Sequence, residues 1–134
     1  MNEITIPYHL AIPTFLCIIG FIIILSYRIL LFKRNNWIWI CISIFLLVYF
    51  FIVANATYDD IYYQWDLNNY DIDKDGFFSE KETTENQKAA MQRLTNDVGR
   101  NFSFITGALI AGVISIIIYL LGLLKNGLSN QKIK

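Results

Sequence analysis

FSFITGALIAGVISIIIYLLGLL, residues 102–124, contains no charged side chain. A helix through it rises about 1.5 Å per residue and reaches about 34 Å, enough to cross the roughly 30 Å hydrocarbon layer of a bilayer. Two further apolar blocks, 10–32 and 37–57, match it in length, and no Asp or Glu lies inside any of the three. The 134-residue chain is 55% hydrophobic, and a chain this short cannot enclose three such helices in polar structure. The expected fold class is therefore all-α, an integral membrane protein with three transmembrane helices. The first block lacks a positive n-region and is about twice the length of a signal-peptide core, so it reads as a retained span.

Outward from the spans, charge sets the expected topology. Arg28, Lys33 and Arg34 flank the loop between the first two blocks, and Lys125, Lys132 and Lys134 follow the third. Both basic flanks fall on one side if all three blocks cross, which the positive-inside rule makes the cytoplasmic side. The expected arrangement has the N-terminus outside, the 33–36 hairpin inside, the 58–101 segment on the extracellular or periplasmic side, and the C-terminus in the cytoplasm. Arg28, about a turn from the end of its block, can carry its charge to the headgroups along its long stem. Tyr8, Trp37, Trp39, Tyr58 and Phe102 stand at the span ends as interfacial aromatics do. The chain thus divides into a tail and hairpin at 1–57, a polar segment at 58–101, and a third span with a basic tail at 102–134.

The spans carry little chemistry. Cys17 and Cys41 fall in opposite leaflets of this topology and read as small buried hydrophobes, with no disulfide between them. Gly107, Ala108, Ala111, Gly112 and Ser115 form overlapping small-xxx-small pairs, a groove that admits another helix backbone, either of this chain or of a second subunit. The sole histidine, His9, lies beside the membrane with no nucleophile paired to it, so no enzyme activity is expected. The formal net charge of zero points to no nucleic-acid partner.

The polar segment is different. It holds ten of the eleven acidic residues, and within it residues 71–82 read DIDKDGFFSEKE. Asp71, Asp73 and Asp75 alternate, Gly76 takes the sixth position, and Glu82 closes the twelfth. Calcium, a hard cation, takes six to eight oxygens, which alternate carboxylates in a tight loop can direct at one centre. Gly76 supplies a bend at positive φ without a Cβ penalty.

This stretch resembles the EF-hand family, and the resemblance extends upstream through the apolar positions Tyr63, Leu67 and Tyr70. It implies a Ca2+ site with Asp71, Asp73, Asp75, the carbonyl of Phe77, Ser79 and bidentate Glu82 as ligands. For an extracellular loop of this type it implies affinity of about 0.1–1 mM. The resemblance covers about 30 residues and implies a calcium site, not a whole-protein activity. Two features depart from the pattern. The residues after Glu82 are polar, with the apolar positions Met91, Leu94 and Val98 coming late, and no second loop is present to form a pair.

The loop stands between spans two and three, so an ion there would fix the angle between helices that feed both; a bend is expected at 95–99. These features lead to the expectation of a calcium-binding membrane module, sensing or structural, acting through other membrane proteins or its own copies. The alternative is an oligomeric calcium-regulated channel or transporter. Against that stand spans whose polar groups are few, mainly Ser43, Thr106 and Ser115.

Overall fold

The computed structural model describes residues 4–30 and 37–131, with side chains through residue 27 and from 37 to 125. The 33–36 hairpin, the Arg28 side chain, Lys132 and Lys134 lie outside the described residues. Five helices follow one another: α1 (Tyr8–Leu30), α2 (Trp37–Asn68), α3 (Glu85–Thr95), α4 (Val98–Asn101) and α5 (Ser103–Gln131). No strand occurs among the described residues. Three of these helices, α1, α2 and α5, are long and apolar enough to cross a membrane. Only 11–17% of each apolar window is buried within the chain. The remaining apolar surface is far more than a soluble monomer exposes, and it suits lipid.

α1 begins where Pro7 offers its carbonyl to the amides of Leu10 and Ala11, both at 2.9 Å. Pro13 follows in the second turn, where its missing N–H and its ring disturb only the helix start. α2 does not stop at the end of its apolar block. It runs 32 residues unbroken to Asn68, about 48 Å, so the helix that enters the acidic loop is the long apolar helix itself. The return path is shorter and broken. α3 ends at Thr95 with Asn96 as its C-cap, and Asp97 caps α4 by accepting from the Arg100 amide at 2.8 Å. This break lies within the 95–99 stretch where a bend is expected.

A cluster of Leu10, Val53 and Ala56, flanked by Tyr49 and Phe104, joins α1, α2 and α5. Tyr49 seals it by donating from its hydroxyl to the Phe104 carbonyl at 3.1 Å. Further along, α5 lies on α2 through small residues four apart. A Cβ on Gly107 would come within 2.9 Å of Ile52 Cγ2, Ala111 is fully buried, and Ser115 Oγ donates to the Cys41 carbonyl at 2.8 Å. The 107/111/115 edge of the small-residue groove is thus filled by α2 of the same chain. Gly112 lies off this edge, and a Cβ there would meet nothing within 4 Å. One turn beyond Ile118, the indole of Trp37 lies flush on Gly122 and donates to the Ile118 carbonyl at 3.2 Å. Cys17 and Cys41 are buried free thiols.

Candidate metal centre and the polar node beneath it

The acidic loop is folded around one carboxylate. Glu82, 5% exposed, accepts from the amides of Ile72 (2.7 Å) and Asp73 (3.4 Å) through Oε1. Its Oε2 accepts from the amide (2.9 Å) and hydroxyl (2.7 Å) of Ser79. The last residue of the motif therefore ties both halves of the loop together. Asp71, 3% exposed, accepts from the Gly76 amide at 3.0 Å. Asp73 and Asp75 each accept from the amide two residues on, at 3.2 and 2.7 Å, the turn-forming habit of short acids. Gly76 takes φ 88°, a conformation that glycine adopts without steric penalty, and Lys74 takes φ 58°.

Asp71, Asp73 and Glu82 each bring a carboxylate oxygen within 4.8 Å of the others. Oxygens bound to one calcium at about 2.3–2.6 Å lie at most about 5 Å apart, so the three fit a single hard cation. The other expected ligands stand differently. Ser79 touches the cluster through its bonds to Glu82, whereas Asp75 lies outside the trio and is exposed. Phe77 is exposed.

Hydrogen bonding and repulsion pull the two outer carboxyls apart. The Ser79 amide and hydroxyl, followed by the Ile72 amide, lower the Glu82 carboxyl from 4.5 to about 2. At Asp73 the Asp75 amide lowers the pKa, but desolvation and the charges of Asp75, Glu82 and Asp71 together outweigh it and the pKa is raised. Because Glu82 is more acidic folded than unfolded, its contribution to loop order is complete above pH 4.5 and disappears as pH falls through about 2. Asp73, shifted the opposite way, offsets part of this. In calcium-free protein the Ile72 and Ser79 amides should keep constant hydrogen-exchange protection down to about pH 4.5 and lose it between there and about pH 2. Glu82→Gln should remove that pH step.

Between Ser79 and Thr83 the chain makes a single turn before α3. The Glu82 and Thr83 amides both donate to the Ser79 carbonyl at 3.0 Å, and Thr84 then caps α3 by accepting from the Gln87 amide at 3.2 Å. The face that α3 turns to α2 carries Gln87 and Ala90, both buried, rather than the expected apolar set. Of that set Met91 is 41% and Val98 64% exposed, and Leu94 alone is half-buried. Ala90 is small enough to let α3 approach closely, which places the bulkier Met91 on the flank.

The residue that sequence reasoning missed is Arg100. Its position in the chain, two residues before the third apolar block, suggests only a surface charge, yet it is 5% exposed. Its Nε lies 3.1 Å from Asp60 Oδ1, an ion pair not aligned as a hydrogen bond. Its terminal nitrogens donate to the Arg93 carbonyl (3.2 Å) and the Leu94 carbonyl, two of the open carbonyls of the last turn of α3. The Tyr63 ring covers the guanidinium at 5.2 Å from its centroid. Asp60 in turn accepts from Gln64 at 2.8 Å. The Gln64 amide also pairs with the backbone of Thr5, accepting from its N–H at 2.7 Å and donating to its carbonyl at 2.9 Å. One side chain thus ties the end of α3 and the start of α4 to α2, and through Gln64 to the segment preceding α1. The only sequence signal was the presence of complementary charges at 60 and 100, forty positions apart.

No family model, curated protein or solved structure matches this chain.

Proposed function

We propose that the chain is a calcium-binding integral membrane protein, sensing or structural, whose 71–82 loop fixes the geometry of α2 and α5 and which acts through other membrane subunits. The observation that carries the reading is the convergence of Asp71, Asp73 and Glu82 on one point, directly at the end of a spanning helix. A divalent cation there would offset the repulsion that raises Asp73. The basic flanks favour a loop on the extracellular or periplasmic side, where millimolar calcium suits a lone loop of modest affinity. The remaining ligands of the complete shell are Asp75, the Phe77 carbonyl and Ser79.

The mechanical route follows from the contacts. An ion would fix Glu82 relative to Asp71, and with it the start of α3 relative to the end of α2. Displacement at the other end of α3 meets Arg100, which grips the Arg93 and Leu94 carbonyls and Asp60 together. Calcium can bias the spans only by the difference in its affinity for their two arrangements.

Calorimetric titration of the detergent-solubilised protein tests the site. Wild type should bind one calcium with Kd of about 0.1–1 mM. Asp71→Ala and Glu82→Gln should each weaken it by about 100-fold. Equal heats for all three proteins would refute the site. The lever is tested separately by spin-label distances between positions 62 and 94, which should differ with and without calcium.

A further inference from the structure

Gln64 stands one turn above Asp60 on α2, and its side-chain amide is used at every position. Oε1 accepts from the Thr5 N–H at 2.7 Å and from the Thr5 hydroxyl at 2.9 Å. Nε2 donates to the Thr5 carbonyl at 2.9 Å and to Asp60 Oδ2 at 2.8 Å. A primary amide has two donor hydrogens and two acceptor lone pairs, so none of its capacity is left over. The backbone of Thr5 is thereby paired in both directions by a side chain of α2, as it would be by a neighbouring strand. Ile4, Thr5 and Ile6 are exposed, so little packing holds this segment and the amide is its tie.

The tie is conditional. A free glutamine samples many rotamers, and ordering it for neutral bonds that water also offers gains little. The charge-assisted bond from Nε2 to Asp60 removes that cost by holding the amide in place with its oxygen turned to Thr5. Asp60 is itself placed by Arg100. Its Oδ1 lies 3.1 Å from Arg100 Nε while Oδ2 takes the Gln64 hydrogen, one oxygen to each partner. Arg100 is fixed in turn by the Arg93 and Leu94 carbonyls at the end of α3 and by the Tyr63 ring. If α3 lifts and takes the guanidinium with it, a carboxylate that is 8% exposed is left without its cation. Turning out to water relieves that cost and removes the group that holds Gln64.

We infer that residues 4–7 are a strap that closes on α2 only while Arg100 holds Asp60, with Gln64 as its latch. Docking of α3 is thereby passed to the segment that enters α1, which makes the first long helix responsive to the polar segment. The relay runs from the Leu94 carbonyl through Arg100, Asp60 and Gln64 to Thr5, and each link is a direct polar contact. Coupling between two equilibria is reciprocal, so release of the strap also loosens the end of α3. The relay rests on the fold alone and needs no ion in the 71–82 loop.

Amide hydrogen exchange of the detergent-solubilised chain, with chelator throughout, tests it at the Thr5 N–H. Wild type should protect Thr5 at least about tenfold relative to an unstructured peptide. Gln64→Leu removes the acceptor and should abolish that protection. The decisive variant is Arg100→Leu/Asp60→Leu, which leaves Thr5 and Gln64 in place and keeps the fold by replacing the buried pair together. It should speed Thr5 exchange at least about fivefold while leaving the Val53 amide, in the core of α2, unchanged. Asp66→Asn, which breaks only the exposed contact to Arg93, should leave Thr5 as in wild type. Full Thr5 protection in the double variant would overturn the inference, as would an unprotected Thr5 in wild type. Acceleration at Thr5 that is matched at Val53 would mean general loosening and would overturn it equally.

Discussion

Replacing Arg100 with leucine is expected to destabilise the folded chain by about 3–5 kcal/mol, because it strands a buried carboxylate without its cation. Asp60 is 8% exposed and keeps only the Gln64 amide as a partner once the guanidinium is gone. The last turn of α3 loses two donors at the same time. A hydrophobic replacement of both partners should recover most of the loss, since removing a buried pair together is often close to neutral. Denaturant or thermal unfolding of Arg100→Leu, Asp60→Leu and the double variant in one detergent measures this. The expected order is double variant above either single. A loss below about 1 kcal/mol for Arg100→Leu would place the pair in the class of surface ion pairs. The Arg93–Asp66 contact, at 3.9 Å with Arg93 largely exposed, belongs to that class and serves as the internal comparison.

The same variant separates the ion loop from its lever. The loop's own bonds, from Glu82 to Ile72, Asp73 and Ser79, do not involve Arg100. Arg100→Leu should therefore leave calcium binding within about threefold of wild type while removing any calcium-dependent change in the 62–94 distance. Loss of both together would mean that the loop does not fold without α3 docked.

What was legible in the sequence was whatever is local in the chain. Span length and apolarity are read from a contiguous block, and the three long apolar helices follow from it. The 71–82 pattern is also contiguous, and it brought Asp71, Asp73 and Glu82 to one point. The break at Asn96 and Asp97 was announced by its short polar residues and Gly99. Arg100 was not legible because its role depends on two facts no local pattern records. One is the rotational register of α2, whose continuation as helix to Asn68 was expected but whose facing of Asp60 toward Arg100 was not. The other is that the break in the return path folds Arg100 back under the α3 terminus. Burial of Gln87 and Ala90 was hidden for a related reason. Apolar periodicity selects Met91, Leu94 and Val98, but close helix approach selects a small side chain. The pairing of Gly107, Ala111 and Ser115 with α2 was half legible, since spacing gives the groove and only register gives its occupant.

Register also governs the second large effect, at Gly122. A Cβ there would overlap the Trp37 indole, so the ring must leave its place against α5. Gly122→Leu is expected to lower stability by about 1.5–4.5 kcal/mol, from about 1–3 for overpacking and about 0.5–1.5 for the lost Trp37 bond to the Ile118 carbonyl. Trp37→Ala/Gly122→Leu should lose less than the sum of the two single variants, because truncating the indole removes the clash. Additive losses would show that the two residues do not press on each other. The site lies at the far end of α2 from the ion loop, about 45 Å along the helix. Calcium affinity should accordingly be unchanged in Gly122→Leu, in titrations run well below its unfolding midpoint. The contact joins α2 and α5 far from the loop, so under the proposed calcium lever an angle imposed at Glu82 would become a rotation of the two helices about that contact rather than a separation. A Gly122→Leu protein that binds calcium normally but shows no calcium-dependent distance change between α2 and α5 would place that pivot at Trp37.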